Sequence, residues 1–565
     1  MRHAASITLG LIISAAVLLA PAIAAGAVYY VDVSGTDTAS GAVLSPFRTI
    51  GAAAGRAHAG DLVVVRSGVY SESVVLTQSG ALGAPIVLRG LPGAVLVSPD
   101  PSQSLSAFDV GAGAYVTIQG FEIGGGFDEA VFVRAGAHDI ELAGLDVHDN
   151  QSGIWIEGAA QVFVHDCVLE HNFRTGIRIF AGAHDIQVAD TRAEANDDGQ
   201  GCDGASDGFN ADASTANITF ERATAVGNSD DGFDLKGTNA AVLESVAQDN
   251  QCTGVKLWAG GLLQNVLVER SPTGVRVTAP AGATTTLENC TLSQNDIGVA
   301  IDGSDHTVHV QNSIVTGPAK ALTYAAAMTL LEDHNILFRP SPSERLIVRQ
   351  DDSGEEDYSA NDVNDGTWQR ASGQGAGTVA QDPDFQPGTC QPGPDSVAID
   401  SGVDANAPAL DLAGLPRPVG AAVDRGAFEW TATTPTLTVR RLMLHRTPTG
   451  SGSVRLRAEV DASAMQFDPQ HDVVTIALRG ARGDALASNF ASAGWNHRVI
   501  VGNARVRLVR TPSAACTTSV ALRAYPDRAI ISLSARGSDL WALDDGPATV
   551  TIEIGRLRAT ADVTP

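Results

Sequence analysis

The phrases NQSGIWI (150–156), NFRTGIRI (172–179), NSDDGFDL (228–235) and NQCTGVKL (250–257) are versions of one pattern: an asparagine, a few polar residues, a glycine, then apolar-x-apolar. The glycine and its triplet recur as GFNA at 208, GVRV at 274 and GVAI at 298, giving spacings of 23, 32, 24, 22, 20 and 24 from Gly153 onward. A period near 22 residues, with short β-type strands and Asn/Gly turns, predicts the coils of a right-handed parallel β-helix, each rung stacked on the last at about 4.8 Å. A leucine-rich repeat shares the period but needs a leucine ladder that this chain lacks.

Two columns support that register. Asn150, Asn172, Asn196, Asn228, Asn250 and Asn295 each close a rung just before the next glycine, so stacked side chains can hydrogen-bond along the axis. Within each triplet the first and third residues, such as Ile154 and Ile156 or Phe233 and Leu235, are apolar and are expected to point inward. The middle residues then face solvent as a column: Trp155, Arg178, Asn210, Asp234, Lys256, Arg276, Ala300.

Composition agrees. In 565 residues, 37 Lys+Arg against 64 Asp+Glu leave 37 − 64 = −27 at pH 7, with 44% hydrophobic, 18% charged and 59 Gly. That balance fits an all-β, turn-rich protein and not a disordered acidic tail. It also argues against nucleic acid as a partner, because phosphate binding rests on dense Lys/Arg. An anionic ligand would need a local device such as a metal ion.

Residues 1–25 read as a secretory signal: Arg2 and His3, an apolar run from Ile7 to Leu19, then Ala22-Ile23-Ala24 as a small-x-small cleavage site. A secreted or cell-surface protein follows, with no membrane span after signal removal. The β-helix, with an N-terminal cap from Ser45 to His58, is expected over 26–430 and closes with DSVAIDSG (395–402) and DLAGLPRPVGAAVDRGAFEW (411–430). Residues 340–390 read as a loop-rich excursion, 431–437 as a linker, and 438–565, with alternating runs such as SVRLRAEV and ATVTIEI, as an antiparallel β-sandwich domain. Six cysteines are too few to be the framework of the fold; a Cys202–Cys252 bridge is possible, and Cys167 and Cys290 read as core packing.

The chemistry gathers at the longest spacing. NDDGQGCDGASDG (196–208) inserts about ten residues, and NSDDGFDL follows one rung later. Asp207 and Asp231 each precede a rung glycine and should stack about 5 Å apart, with Asp230 beside them and Asp234 on the outward column. Turn chemistry accounts for Asp230 and Asp231. It does not account for the stacking with Asp207. Oxygen-only ligands in an exported protein suit Ca²⁺. Lysine is almost absent: only Lys236, Lys256 and Lys320 occur, all other basic residues being arginine. Lys256 follows Asp234 one rung along. Beside a metal and flanked by Arg178 and Arg276, it is expected to have a lowered pKa and to act as a general base; the plain alternative is a salt bridge with Asp234.

DGF at 207, NSDDGFDL at 228–235 and GVKL at 254 resemble the polysaccharide lyases of family 9, calcium-dependent pectate lyases built on a right-handed parallel β-helix. The resemblance implies that Asp207, Asp230, Asp231 and Asp234 hold calcium and that Lys256 is the catalytic base. Asp212 stands where that family often carries a lysine. The implied activity is β-elimination on a uronic-acid polymer by a monomer, with Arg178, Lys236, Trp258 and Arg276 as substrate contacts. Two other functions compete. A non-catalytic β-helix could bind glycans or stabilise a surface around a structural calcium, and a hydrolase would need two carboxylates set apart across a sugar.

Overall fold

The computed structural model describes residues 26–317, 319–351 and 353–431 with their side chains, and beyond those only backbone strands between 437 and 563. The expected signal at 1–25 and residues 432–436 of the expected linker lie outside the described residues.

Three sheets, parallel except for one antiparallel strand at an end, run side by side along one axis. A 13-stranded sheet starts at Val28–Val31 and ends at Thr329–Asp333. A 12-stranded sheet of short strands runs from Gly68–Ser71 to Ile336–Phe338. A second 13-stranded sheet starts at Val74–Leu76 and carries the triplets. The chain visits each sheet once per coil, as at His138–Ala143, Asp146–His148 and Ser152–Glu157. This is a parallel β-helix.

The repeat has a physical cause at each position. Ile154, Ile156, Ile177, Ile179, Val255 and Leu257 are fully buried, and Phe209, Phe220 and Phe233 form an aromatic stack in the same core, with Phe209 and Phe233 rings 4.9 Å apart on adjacent rungs. Burial of each ring contributes about 1.5–3 kcal/mol. The glycines are required by close approach of neighbouring coils. A Cβ on Gly208 would lie 2.8 Å from the carbonyl oxygen of Gly232, and one on Gly232 2.6 Å from that of Gly254. Corners turn through left-handed residues, many of them Asp or Asn, which tolerate that conformation: Asp149, Asp190, Asp249, Asn265 and Asn289 all have φ between 48° and 56°.

The asparagine column forms a ladder. Nδ2 of Asn172 donates to Oδ1 of Asn196 at 3.1 Å, Asn196 to Asn228 at 2.9 Å, and Asn228 to Asn250 at 3.0 Å, while each Oδ1 also accepts the backbone N–H of the preceding asparagine. Ser271 interrupts the ladder before Asn295. Asn196→Ala removes bonds to Asn172, Asn228 and the Leu169 carbonyl, all buried. Buried groups left unpaired cost about 1–3 kcal/mol each. We expect a loss of roughly 3 kcal/mol, seen as a melting temperature lowered by several degrees; an unchanged melting curve would contradict the ladder's role.

Both ends depart in detail from the expectation. The expected cap from Ser45 to His58 contains one short helix, Ile50–Ala54, whose first N–H groups are taken by Thr49 and Glu72; the first coil is covered by it and by the edge strand Val28–Val31. The region expected as loops over 340–390 holds an antiparallel pair, Arg345–Asp351 with Gly354–Ser359, then helices Ala360–Asn364 and Thr367–Ser372, which bury Trp368. The polar composition had concealed a hairpin whose exposed face is made of Arg345, Arg349, Glu355, Glu356 and Asp357 ion pairs. The closing segment folds back along the helix, its backbone carbonyls accepting from Asn265, Asn289 and Asn312 around the fully buried Arg417–Glu429 pair.

Farther on, backbone strands make two antiparallel sheets: a six-stranded one from Leu437–Arg446 to Trp495–Ile500 and a four-stranded one from Gly483–Phe490 to Leu557–Val563.

Candidate metal centre

Before three of the rung glycines the residue is small, hydroxylated and buried: Ser152, Thr175 and Thr253. In two successive rungs that position holds Asp207 and Asp231 instead, 3% and 1% exposed. Pairing of Phe209 with Phe233 sets the register, so that the backbone N–H of Asp231 donates to Oδ1 of Asp207 at 3.2 Å. The triplet of the second rung adds Asp234, paired across the strands with Asn210 before it and Lys256 after it. One carboxylate oxygen from each of Asp207, Asp231 and Asp234 lies within 4.8 Å of the others.

Neighbours hold this group in place. Thr253 N–H donates to Asp231 Oδ1 at 2.8 Å and Lys256 Nζ to Asp231 Oδ2 at 3.1 Å. Trp258 Nε1 donates to Asp234 Oδ1 at 2.7 Å, and Lys236 Nζ binds Asp234 Oδ2. Asn210 Nδ2 bridges Asp207 Oδ2 at 2.8 Å and Asp234 Oδ2 at 3.3 Å, leaving its own buried Oδ1 without a partner. Asp230, half-buried, lies near Asp231 and the Cys252 sulfur. That sulfur is no ligand, because Cys202 and Cys252 form a disulfide with Cα atoms 5.6 Å apart, which pins the inserted loop beside the site. Within that loop Asp198 accepts from the N–H groups of Gln200 and Ala205 and so stiffens the turn.

The electrostatics are those of a site short of positive charge. Burial, then the charges of Asp234, Asp231 and Asp230, push the Asp207 carboxyl well above the usual aspartate range. Burial and Asp231 lift Asp230 to about 7. Asp231 is raised by burial, against the opposing pull of Lys256. Four aspartates face two ammonium groups, Lys236 and Lys256. An oxygen-rich, buried, acidic pocket with an orphaned amide oxygen fits a hard divalent cation.

The structure brings Asp207, Asp230, Asp231, Asp234, Lys236, Lys256 and Trp258 to one place. Several details differ from expectation. Lys256 bonds Asp231, not Asp234. Its proton affinity is raised: burial lowers it, but Asp231, Asp234 and Asp230 outweigh burial, and neither arginine is among its strongest influences. Arg276 sits one rung beyond Lys256 and forks onto Asp302 at 2.8–2.9 Å. Arg178, one rung before Asn210, reaches Asp212 at 3.3 Å and lies over the Trp155 and Phe180 rings. The outward column is not uniformly exposed, since Asn210, Asp234 and Ala300 are 8%, 7% and 6% accessible beneath their longer neighbours. Asn210 was visible in that column, between Arg178 and Asp234, but nothing in the sequence singled it out for the metal group.

A family model described as the Pel9A-like right-handed β-helix region matches residues 29–260, and one described as the right-handed β-helix region matches 201–336. In scaffold the protein is thus a right-handed parallel β-helix. The uncharacterized protein YwoF of Bacillus subtilis (strain 168) is 26% identical over 154 residues, 26% of this chain and 28% of that protein, so the match spans under a third of that relative. Among solved structures, pectate lyase Pel9A is 19% identical with a TM-score of 0.41, covering 73% of this chain and 98% of that one. The alginate lyase from Paenibacillus sp. str. FPU-7 is 16% identical with a TM-score of 0.37, covering 46% and 94%. Among the described residues, no helix is long and apolar enough to cross a membrane.

Proposed function

We propose that the protein is a secreted, calcium-dependent polysaccharide lyase of family 9 that cleaves a uronic-acid polymer by β-elimination. Asp207, Asp230, Asp231 and Asp234 hold the ion, Lys256 is the base, and Arg178, Lys236, Trp258 and Arg276 face the substrate. The observation that carries this reading is Lys256 Nζ at 3.1 Å from Asp231, at the rim of a buried oxygen-only cluster, its side chain 24% exposed. The two antiparallel sheets of 437–563 are taken as a sandwich domain accessory to the β-helix.

Bound calcium would partly neutralise a uronate carboxylate, which acidifies the ring C–H beside it. Lys256 must be neutral to take that proton. Its ammonium form is favoured mainly by Asp231 and Asp234, the same groups assigned to the ion, so sharing their charge removes the attraction and leaves burial, which favours the amine. The proton then moves to Nζ, the electron pair left behind forms the carbon–carbon double bond, and the β carbon–oxygen bond breaks, its oxygen taking a proton from water. Trp258, 37% exposed, offers an indole face beside Lys256, and Arg178 can exchange its single long bond to Asp212 for a substrate carboxylate.

The deep burial of Asp207 and Asp231 favours a second reading, a structural calcium in a non-catalytic glycan-binding protein. Absorbance near 235 nm on polygalacturonate and alginate separates the two. We expect growth with Ca²⁺ and none with chelator; no growth on any uronate polymer, with Ca²⁺ still raising the melting temperature, would replace the lyase by the binding protein.

A further inference from the structure

We propose that Asn210 is itself a ligand of the metal centre and, when the ion is absent, its placeholder. The inference rests on the calcium reading above and extends it to a residue outside the four aspartates. Three observations converge. The side chain is 8% exposed and lies in the register between Arg178 and Asp234. Its Nδ2 joins Asp207 and Asp234, two of the three carboxylates that approach within 4.8 Å. Its Oδ1 is buried and has no hydrogen-bond partner, a rare state for a buried carbonyl.

An amide has two ends of nearly identical shape and opposite polarity. With the amino end inward, two hydrogen bonds hold apart carboxylates that would otherwise repel. Half a turn of the amide exchanges Nδ2 for Oδ1 and aims the oxygen at the same pair. Calcium accepts asparagine carbonyls as readily as carboxylates and takes six to eight oxygens, more than four monodentate aspartates supply. A neutral ligand is compatible with the charge: with its four aspartates ionised, the cluster exceeds its two lysines by two negative charges, which a divalent ion balances. One residue thereby keeps the site open without the ion and closes it with the ion.

Calcium titration of the full-length protein by calorimetry, with melting curves in chelator, tests this on wild type, Asn210→Ala and Asn210→Asp. The alanine variant is expected to bind Ca²⁺ ten- to a hundredfold more weakly. The aspartate variant should bind at least as tightly as wild type yet melt lower in chelator, because a bridging donor has become a carboxylate. Wild-type affinity in Asn210→Ala, or an Asn210→Asp affinity as weak as that of Asn210→Ala, overturns the assignment while the calcium site stands. If Asn210→Ala does not fold, Asn210→Asp decides: wild-type melting in chelator, or weakened binding, removes the proposal. Absence of calcium binding by wild type removes the calcium reading and this inference together.

Discussion

Lys256→Ala is expected to lower the rate of unsaturated-uronate formation by about 10²- to 10⁴-fold, the range that a positioned general base contributes. The side chain is one of three lysines in 565 residues, and its Nζ stands 3.1 Å from Asp231 on the face where Trp258 is exposed. Because Lys256 also offsets the negative charge of Asp231, the alanine variant by itself does not separate a base from a counter-charge. Lys256→Arg does. Arginine keeps the positive charge and the hydrogen bond but cannot surrender its proton at accessible pH. Both variants should be inactive while binding Ca²⁺, read by calorimetry. An arginine variant with near-wild-type turnover would assign Lys256 to charge balance and end its role as the base.

The second large effect is on stability, and its sign depends on pH. In the metal-free protein the carboxyls of Asp207, Asp230 and Asp231 are all raised above the ordinary aspartate value of 3.8, Asp230 to about 7. A group raised in this way binds its proton more tightly folded than unfolded. The stability it contributes is whole below the unfolded value and is lost as pH rises through the folded one. In chelator the protein should therefore become less stable between about pH 4 and pH 7 from this cluster. Calcium needs the ionised carboxylates, so its stabilising effect should grow over the same window. At a hundred times its dissociation constant the ion contributes about 2.7 kcal/mol, a rise of a few degrees in a domain of this size. Melting temperatures with Ca²⁺ and with chelator at pH 5 and pH 8 measure both slopes. An equal calcium effect at the two values would mean that these carboxylates are not the ligands.

Much of the scaffold was legible because a β-helix repeats. The glycine, the triplet and the asparagine are dictated rung by rung by nearest neighbours, and a constraint that recurs every 20 to 24 residues, with one interval of 32, shows in one sequence. The Cys202–Cys252 bridge was visible as a possibility and needed three dimensions to decide. What did not recur was hard to see. The hairpin and helices of 345–372 occur once, at the end of the stack, where exposed ion pairs replace the apolar alternation that marks a strand.

The candidate site divides along the same line. Sequence by itself determined which rungs carry Asp207, Asp231, Asp234 and Lys256 and in what order they stack, because register follows from counting residues back from each glycine. Tertiary structure decided which side chains touch: that Lys256 turns to Asp231 and not to Asp234, that Arg276 is held by Asp302, and that Asn210 lies buried among carboxylates with its oxygen unpaired. Register follows from the backbone spacing of coils. Contacts depend on side-chain length, rotamer and the burial that neighbouring rungs impose, and these exist only once the coils are stacked.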